Sequence, residues 1–359
     1  NGELAVTGLR GKVTVVRNAY GVPDIYADNN HDLFFAQGYV QAQDRLFQMD
    51  VFRRLGNGTL AEIVGSPGVW ADQTSRTYGL RRIAEKTYPR LDGEVKALLQ
   101  AYADGINAFI QSHQNKLPVE YSVLGISPEP WTPLDSMSWA NMFGMWKSLN
   151  VDYELLRAQL RAKLGEKMTI DALPAYDPQS PIIISGELED YSWRKNLTAG
   201  SGRANDVRQV RNKKPADSLS WLADPRIQGF ADMGGIFPGG KTFGWASGGF
   251  AVSGEHTVSG KPILAYDVHI DLSIPSIWYE MGLHGGDYDV SGVACPGLPF
   301  ILLGHNSHIA WAYEQMSPDV EDLYIEKFDN PDHPTKYLYK GVWYDIEKIK
   351  EIIKVKGQE

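Results

Sequence analysis

The run Trp245-Ala246-Ser247-Gly248-Gly249 sets a serine after a small residue and before two glycines. A hydroxyl free to approach the carbonyl before it can attack that carbonyl, move the acyl group from nitrogen to oxygen and cut its own chain. A glycine- and serine-rich turn explains the same residues. Pro318-Asp319-Val320-Glu321-Asp322 holds three carboxylates in four residues, hard oxygen donors of the kind Ca2+ takes. By itself the run reads first as a solvated acidic turn. His305-Asn306-Ser307-His308 places two imidazoles three residues apart, but no His-Glu-x-x-His helix surrounds them, so turn and packing roles compete with a metal. Cys295 is the single cysteine and lies in an apolar stretch beside Pro296-Gly297, which fits a small buried side chain. There is no Gly-x-Ser-x-Gly elbow, no Walker loop and no Gly-x-Gly-x-x-Gly turn, which argues against an ordinary α/β-hydrolase and against a nucleotide site.

The elements that must hold these residues follow from periodicity. Lys12 to Arg17 reads as a strand, and Asn18 to Pro23 as a turn. Asp32 is expected to cap a helix running to about Leu55, with Phe35, Tyr39, Ala42, Leu46 and Met49 on its apolar face and Gln37, Gln41, Asp44, Arg45 and Gln48 opposite. A second helix is expected over 91–111 and a third over about 135–164, ending at Gly165. Residues 196–217 carry many Gly, Arg and Lys and few large apolar side chains, as an exposed linker does, and glycine-rich texture continues to Gly240. Short strand-like runs follow, at 250–252, 262–265, 277–279, 300–303 and 309–313, with Lys348 to Lys356 open to helix or strand. Helices, then a linker, then strands predict an α+β fold.

Composition sets outer limits. A chain of 359 residues, 43% hydrophobic and 22% charged, is globular and makes one large domain or two. One cysteine excludes an internal disulfide. A net charge of −9 argues against unaided nucleic-acid binding. No run of 18 apolar residues is present, so no membrane span is expected.

Taken in order, the motifs resemble the penicillin acylase family of N-terminal nucleophile hydrolases, which includes cephalosporin and acyl-homoserine-lactone acylases. The resemblance rests on Tyr20 to Ala27, Asp32 to Asp50, Arg53-Arg54, Gly58 to Glu62, Ser259 to His269, Pro296 to Pro299, and Gly304-His305-Asn306 with Ile309-Ala310-Trp311. It implies a four-layer αββα core and a precursor that cuts itself between Ala246 and Ser247. Residues 1–195 would then be α-chain-like, 196–246 a spacer, and 247–359 the start of a β-chain-like catalytic part that continues beyond residue 359. The two pieces would stay together as a heterodimer. Cleavage would give Ser247 a free α-amine, with an unperturbed pKa of about 7.7–8.0, to serve as the base for its own hydroxyl.

The resemblance also implies roles for other residues. His269 would orient the serine amine and hydroxyl, and the N–H of Gln315 would form part of an oxyanion hole. Asp319 and Asp322, with the carbonyl of Glu321 and with Glu154 from the first half, would bind a structural Ca2+; no organic cofactor is implied. Ile270 and Leu303 would line an apolar acyl pocket. The substrate would be a small N-acyl amide of the penicillin, cephalosporin or acyl-homoserine-lactone type, and the setting periplasmic or extracellular. Departures stand at Asn18, Asp24, Gly248 and Phe250, where the family usually has Asp, His, Asn and Trp. The second oxyanion donor, an Asn side chain, and the Arg that positions it are expected beyond residue 359. A non-catalytic relative that binds without cutting is the alternative that Gly248 and Gly249 motivate.

Overall fold

Asn29 and Asp32 open the long first helix by satisfying each other. In the computed structural model, which describes residues 2–148, 150–173, 247–270, 272–314 and 320–358, with the backbone alone at Asp152 and Ser247, helix α1 spans Asn30–Asn57. The Asn29 side chain accepts the Asp32 N–H and donates to the Asp32 carboxylate. The cap is therefore Asn29, and the expected cap, Asp32, is its partner one turn in. Helices α2 (Ala61–Val64), α3 (Val69–Tyr78), α4 (Leu80–Thr87), α5 (Gly93–Ser112), α6 (Val119–Leu124), α7 (Pro133–Ser148) and α8 (Val151–Ala172) follow. The helix expected over 135–164 is thus two helices, and Gly165 marks a kink inside α8, at φ +78°, where an end was expected.

Strands β1 (Val13–Arg17), β2 (Pro23–Ala27), β5 (Tyr279–Gly285), β6 (Tyr288–Ala294), β7 (Leu303–His305) and β8 (Ala310–Trp311) form one six-stranded sheet, in the order β1-β2-β5-β6-β7-β8. The β2–β5 pair is parallel, with Asp24 opposite Gly282; the other neighbours are antiparallel. Strands β3 (Ser247–Val252) and β4 (Ile263–Val268) make a separate antiparallel ladder, as do β9 (Lys336–Tyr339) and β10 (Val342–Asp345). Leu33, Phe34 and Val40 of α1 and Leu98 and Ala101 of α5 bury one face of the sheet together with Ile25, Met281 and Leu283.

The α1–α5 crossing is close enough to require glycine. A Cβ at Gly105 would lie 1.8 Å from the Phe35 carbonyl oxygen, and one at Gly38 would lie 2.1 Å from that of Tyr102. Gly105→Ala is expected to force the helices apart and cost about 1–3 kcal/mol, read as a lower urea midpoint.

Two units emerge. One holds the described residues of 2–148, 247–314 and 326–358; the other holds 150–173 and 320–325. In the first, the segment after β10 is neither helix nor strand. It lies across α2 and α3 instead: the Lys356 N–H donates to the Ala61 carbonyl at 2.9 Å, and Arg76 reaches the Ile352 carbonyl at 2.7 Å. In the second, the Asn150 N–H, just ahead of α8, donates to the Glu321 carboxylate at 3.0 Å.

Candidate active site

Ser247 is the first residue of β3, and the ladder with β4 pairs it with Val268. His269 is the next residue after β4, so antiparallel pairing brings position 247 and the histidine to the same end of one hairpin. The His269 ring Nε2 lies 2.9 Å from the Asp267 carboxylate, and its side chain is half exposed. Gly248 and Gly249 sit opposite Asp267 and Tyr266 as ordinary ladder residues. The bond between 246 and 247 and the residues Ala246 and Gln315 lie outside the described residues, as does Asp319.

Ile270 leaves the hairpin and packs against a cluster formed by Trp139, Met142, Trp146, Cys295 and Leu298. Leu302 packs on the same cluster, whereas Leu303 is half-buried in β7 opposite Val293. Phe143 adds an edge-on ring 5.9 Å from Trp146 and 6.2 Å from Trp278. These residues form a buried aromatic and aliphatic cluster, against which the residue after His269 packs. Sequence reading missed its α7 members. Trp139, Phe143 and Trp146 do recur at helical spacing, but their partners Ile270, Trp278 and Leu302 are over a hundred residues away. Lys147 follows on α7, its ammonium 5.0 Å over the Trp146 ring, and burial lowers its pKa to about 8.

Cys295 is fully buried in the same cluster, and burial pushes its thiol up to about 12. It is built for packing, not for nucleophilic attack. Ellman's reagent at pH 8 is expected to label no thiol in the folded chain and one thiol after unfolding.

His305 and His308 flank a tight turn between β7 and β8. The Asn306 side chain accepts the N–H groups of His308 and Ile309 at 2.8 and 2.7 Å. Among the described residues, no group of three or more His, Cys, Asp or Glu is arranged to hold a metal. Of the acidic set, Glu154 stands on α8, and Glu321 spends its carboxylate on the Asn150 N–H. Also among the described residues, no helix is long and apolar enough to cross a membrane.

Position 247 and His269 thus stand at one end of a hairpin, and Ile270, the next residue, packs on a buried apolar cluster. The chain belongs to the penicillin amidase family, whose sequence model matches residues 12–359. It is 31% identical to the acyl-homoserine lactone acylase QuiP of Pseudomonas aeruginosa over 359 residues, all of this chain and 39% of that protein. It is also 31% identical to the penicillin acylase 2 proenzyme of Pseudomonas sp. strain SE83 over 329 residues, 91% of this chain and 39% of that one. The chain spans about two fifths of the length of these curated relatives. Among solved structures, a thermostable penicillin G acylase from Alcaligenes faecalis aligns at TM-score 0.43 and 29% identity, covering 49% of this chain and 97% of that chain.

Proposed function

We propose that this chain comes from a precursor that cuts itself between Ala246 and Ser247 and then hydrolyses an N-acyl amide through an acyl-Ser247 ester. The Ser247 hydroxyl attacks the substrate carbonyl while the freed α-amine takes its proton. The tetrahedral oxyanion accepts the Gln315 N–H. The amine product leaves with the proton, and water then hydrolyses the ester by the reverse sequence of proton transfers. His269 orients the amine and hydroxyl. Ile270 and Leu303 contact the acyl group, and their aliphatic character favours an apolar acyl chain. The leaving amine is of the class the relatives' names point to, a β-lactam nucleus or a homoserine lactone.

One observation carries this reading: in a chain of this family, the ladder register sets the backbone of Ser247 against Val268, next to His269. The reading includes a four-layer αββα core, a spacer over 196–246, an exported α/β heterodimer and segment limits at 195 and 247. The β2–β5 pairing supports the heterodimer, because one sheet takes strands from both sides of the cut. Mass spectrometry of the folded full-length protein tests the cut: a fragment whose amino end is Ser247 is expected. An intact chain that still turns over amides overturns the proposal, and an intact, inactive chain points to a non-catalytic relative.

Calcium belongs to the same proposal. Asp319 and Asp322, the Glu321 carbonyl and Glu154 supply oxygen donors only, as Ca2+ prefers. Calcium at about a hundred times its dissociation constant is expected to stabilise the full-length protein by about 2.7 kcal/mol. Melting with and without a chelator reads this, and Asp322→Asn is expected to remove most of the difference.

A further inference from the structure

A buried amide clamps the loop between β6 and β7. Gln37 of α1 is fully buried; its Nε2 donates to the Phe300 carbonyl at 3.1 Å, and its Oε1 accepts the Phe300 N–H at 3.1 Å. Phe300 adopts φ +74°, a left-handed conformation that costs a side-chain-bearing residue about 1–3 kcal/mol. One turn along α1, Gln41 Oε1 accepts the Gly297 N–H at 3.3 Å and the Tyr102 hydroxyl. Two glutamines on one helix face thus hold both ends of the Gly297–Phe300 turn.

The backbone bend at Phe300 sets where the next residues point. Ile301 enters the core beneath α1, and Leu302 packs on the Trp139–Cys295 cluster, as Ile270 does. In an extended segment, a slip of one residue exchanges the two faces. We propose that Gln37 is a positioning residue for acyl recognition: by holding Phe300 left-handed, it keeps Leu302 on the cluster that Ile270 also packs against and so sets the aim of the next residue, Leu303, in the acyl pocket. The inference rests on the acylase reading and gives Gln37 no contact with substrate.

Steady-state kinetics of the full-length enzyme on N-acyl amides of increasing aliphatic length test it. Gln37→Leu removes both hydrogen bonds at similar volume. KM for the longer acyl groups is expected to rise about tenfold, with kcat and the acetyl substrate changed by less than about twofold. Glycine tolerates φ +74° without a clamp, so Gln37→Leu with Phe300→Gly is expected to recover the original length profile. A uniform loss of active enzyme with an unchanged profile overturns the proposal. If Gln37→Leu does not fold, the double variant decides: a folded protein with the wild-type profile supports the proposal, and an unfolded protein or an altered profile sinks it. A wild-type enzyme inert towards every acyl amide refutes the acylase reading instead. In that event hydrogen exchange at the Leu302 amide, faster in Gln37→Leu and restored in the double variant, still reports the clamp itself.

Discussion

Ser247→Ala in the full-length precursor is expected to leave the chain uncut and to lower amide hydrolysis by about 10⁶-fold, the scale on which loss of a serine nucleophile acts. Both effects have one cause. Without the hydroxyl there is no attack on the Ala246 carbonyl, hence no free amine at 247 and no base for catalysis. Ser247→Cys keeps a nucleophile at the same place and is expected to restore the cut. The processed wild-type enzyme is expected to lose kcat/KM about tenfold per pH unit below the α-amine pKa, near 7.7–8.0 if unperturbed, because protonation removes the base. Intact mass and a pH–rate profile measure these outcomes. Wild-type activity in an uncut Ser247→Ala protein is the result that defeats the mechanism.

Asp50→Ala is expected to have the largest effect on stability, about 3–5 kcal/mol, by leaving buried charge uncompensated. The Asp50 carboxylate is buried between Arg53 at 2.6 Å and Arg54 at 3.4 Å, both buried themselves. Arg53 also donates to the Pro130 carbonyl at 3.2 Å and lies 5.2 Å over the Trp131 ring, so it cannot swing out to water without breaking those contacts. Arg161 and Glu166 pair at 3.1 Å with both side chains about half exposed, and Arg161→Ala is expected to cost less than about 1 kcal/mol. Urea unfolding of the two variants separates the cases.

Signals that are local in the chain were legible before the fold was. The apolar stripe of α1 and the start of α5 follow from spacing, and position 247 and His269 share one end of a hairpin because they are close in the chain. The rest depends on partners far away. Strand β2 starts on a proline after a turn and reads as loop until it pairs with β5, about 250 residues on. Strands β6, β9 and β10 were not anticipated either. Gln37 and Gln41 fall on the polar side of α1 by spacing, as if for solvent, yet both are fully buried. Their burial is set by the backbone groups of the Gly297–Phe300 turn and the Tyr102 hydroxyl, which helix periodicity does not encode. In the same way α7 and α8 share one continuous polar and apolar texture, and their separation at Asn150 is marked by a carboxylate from Glu321.

The parallel contact of Asp24, Ile25 and Tyr26 with Gly282, Leu283 and His284 is among the most sequence-distant pairings in the sheet. Closing so long a loop is entropically slow, and little rewards it until both sides are formed. For the proposed precursor, cut at 247, that timing predicts an order of events: β2 and β5 pair while the backbone is still covalent. Fragments made separately and mixed would meet as two chains, with association entropy added to loop closure, and would assemble poorly compared with material cut after folding.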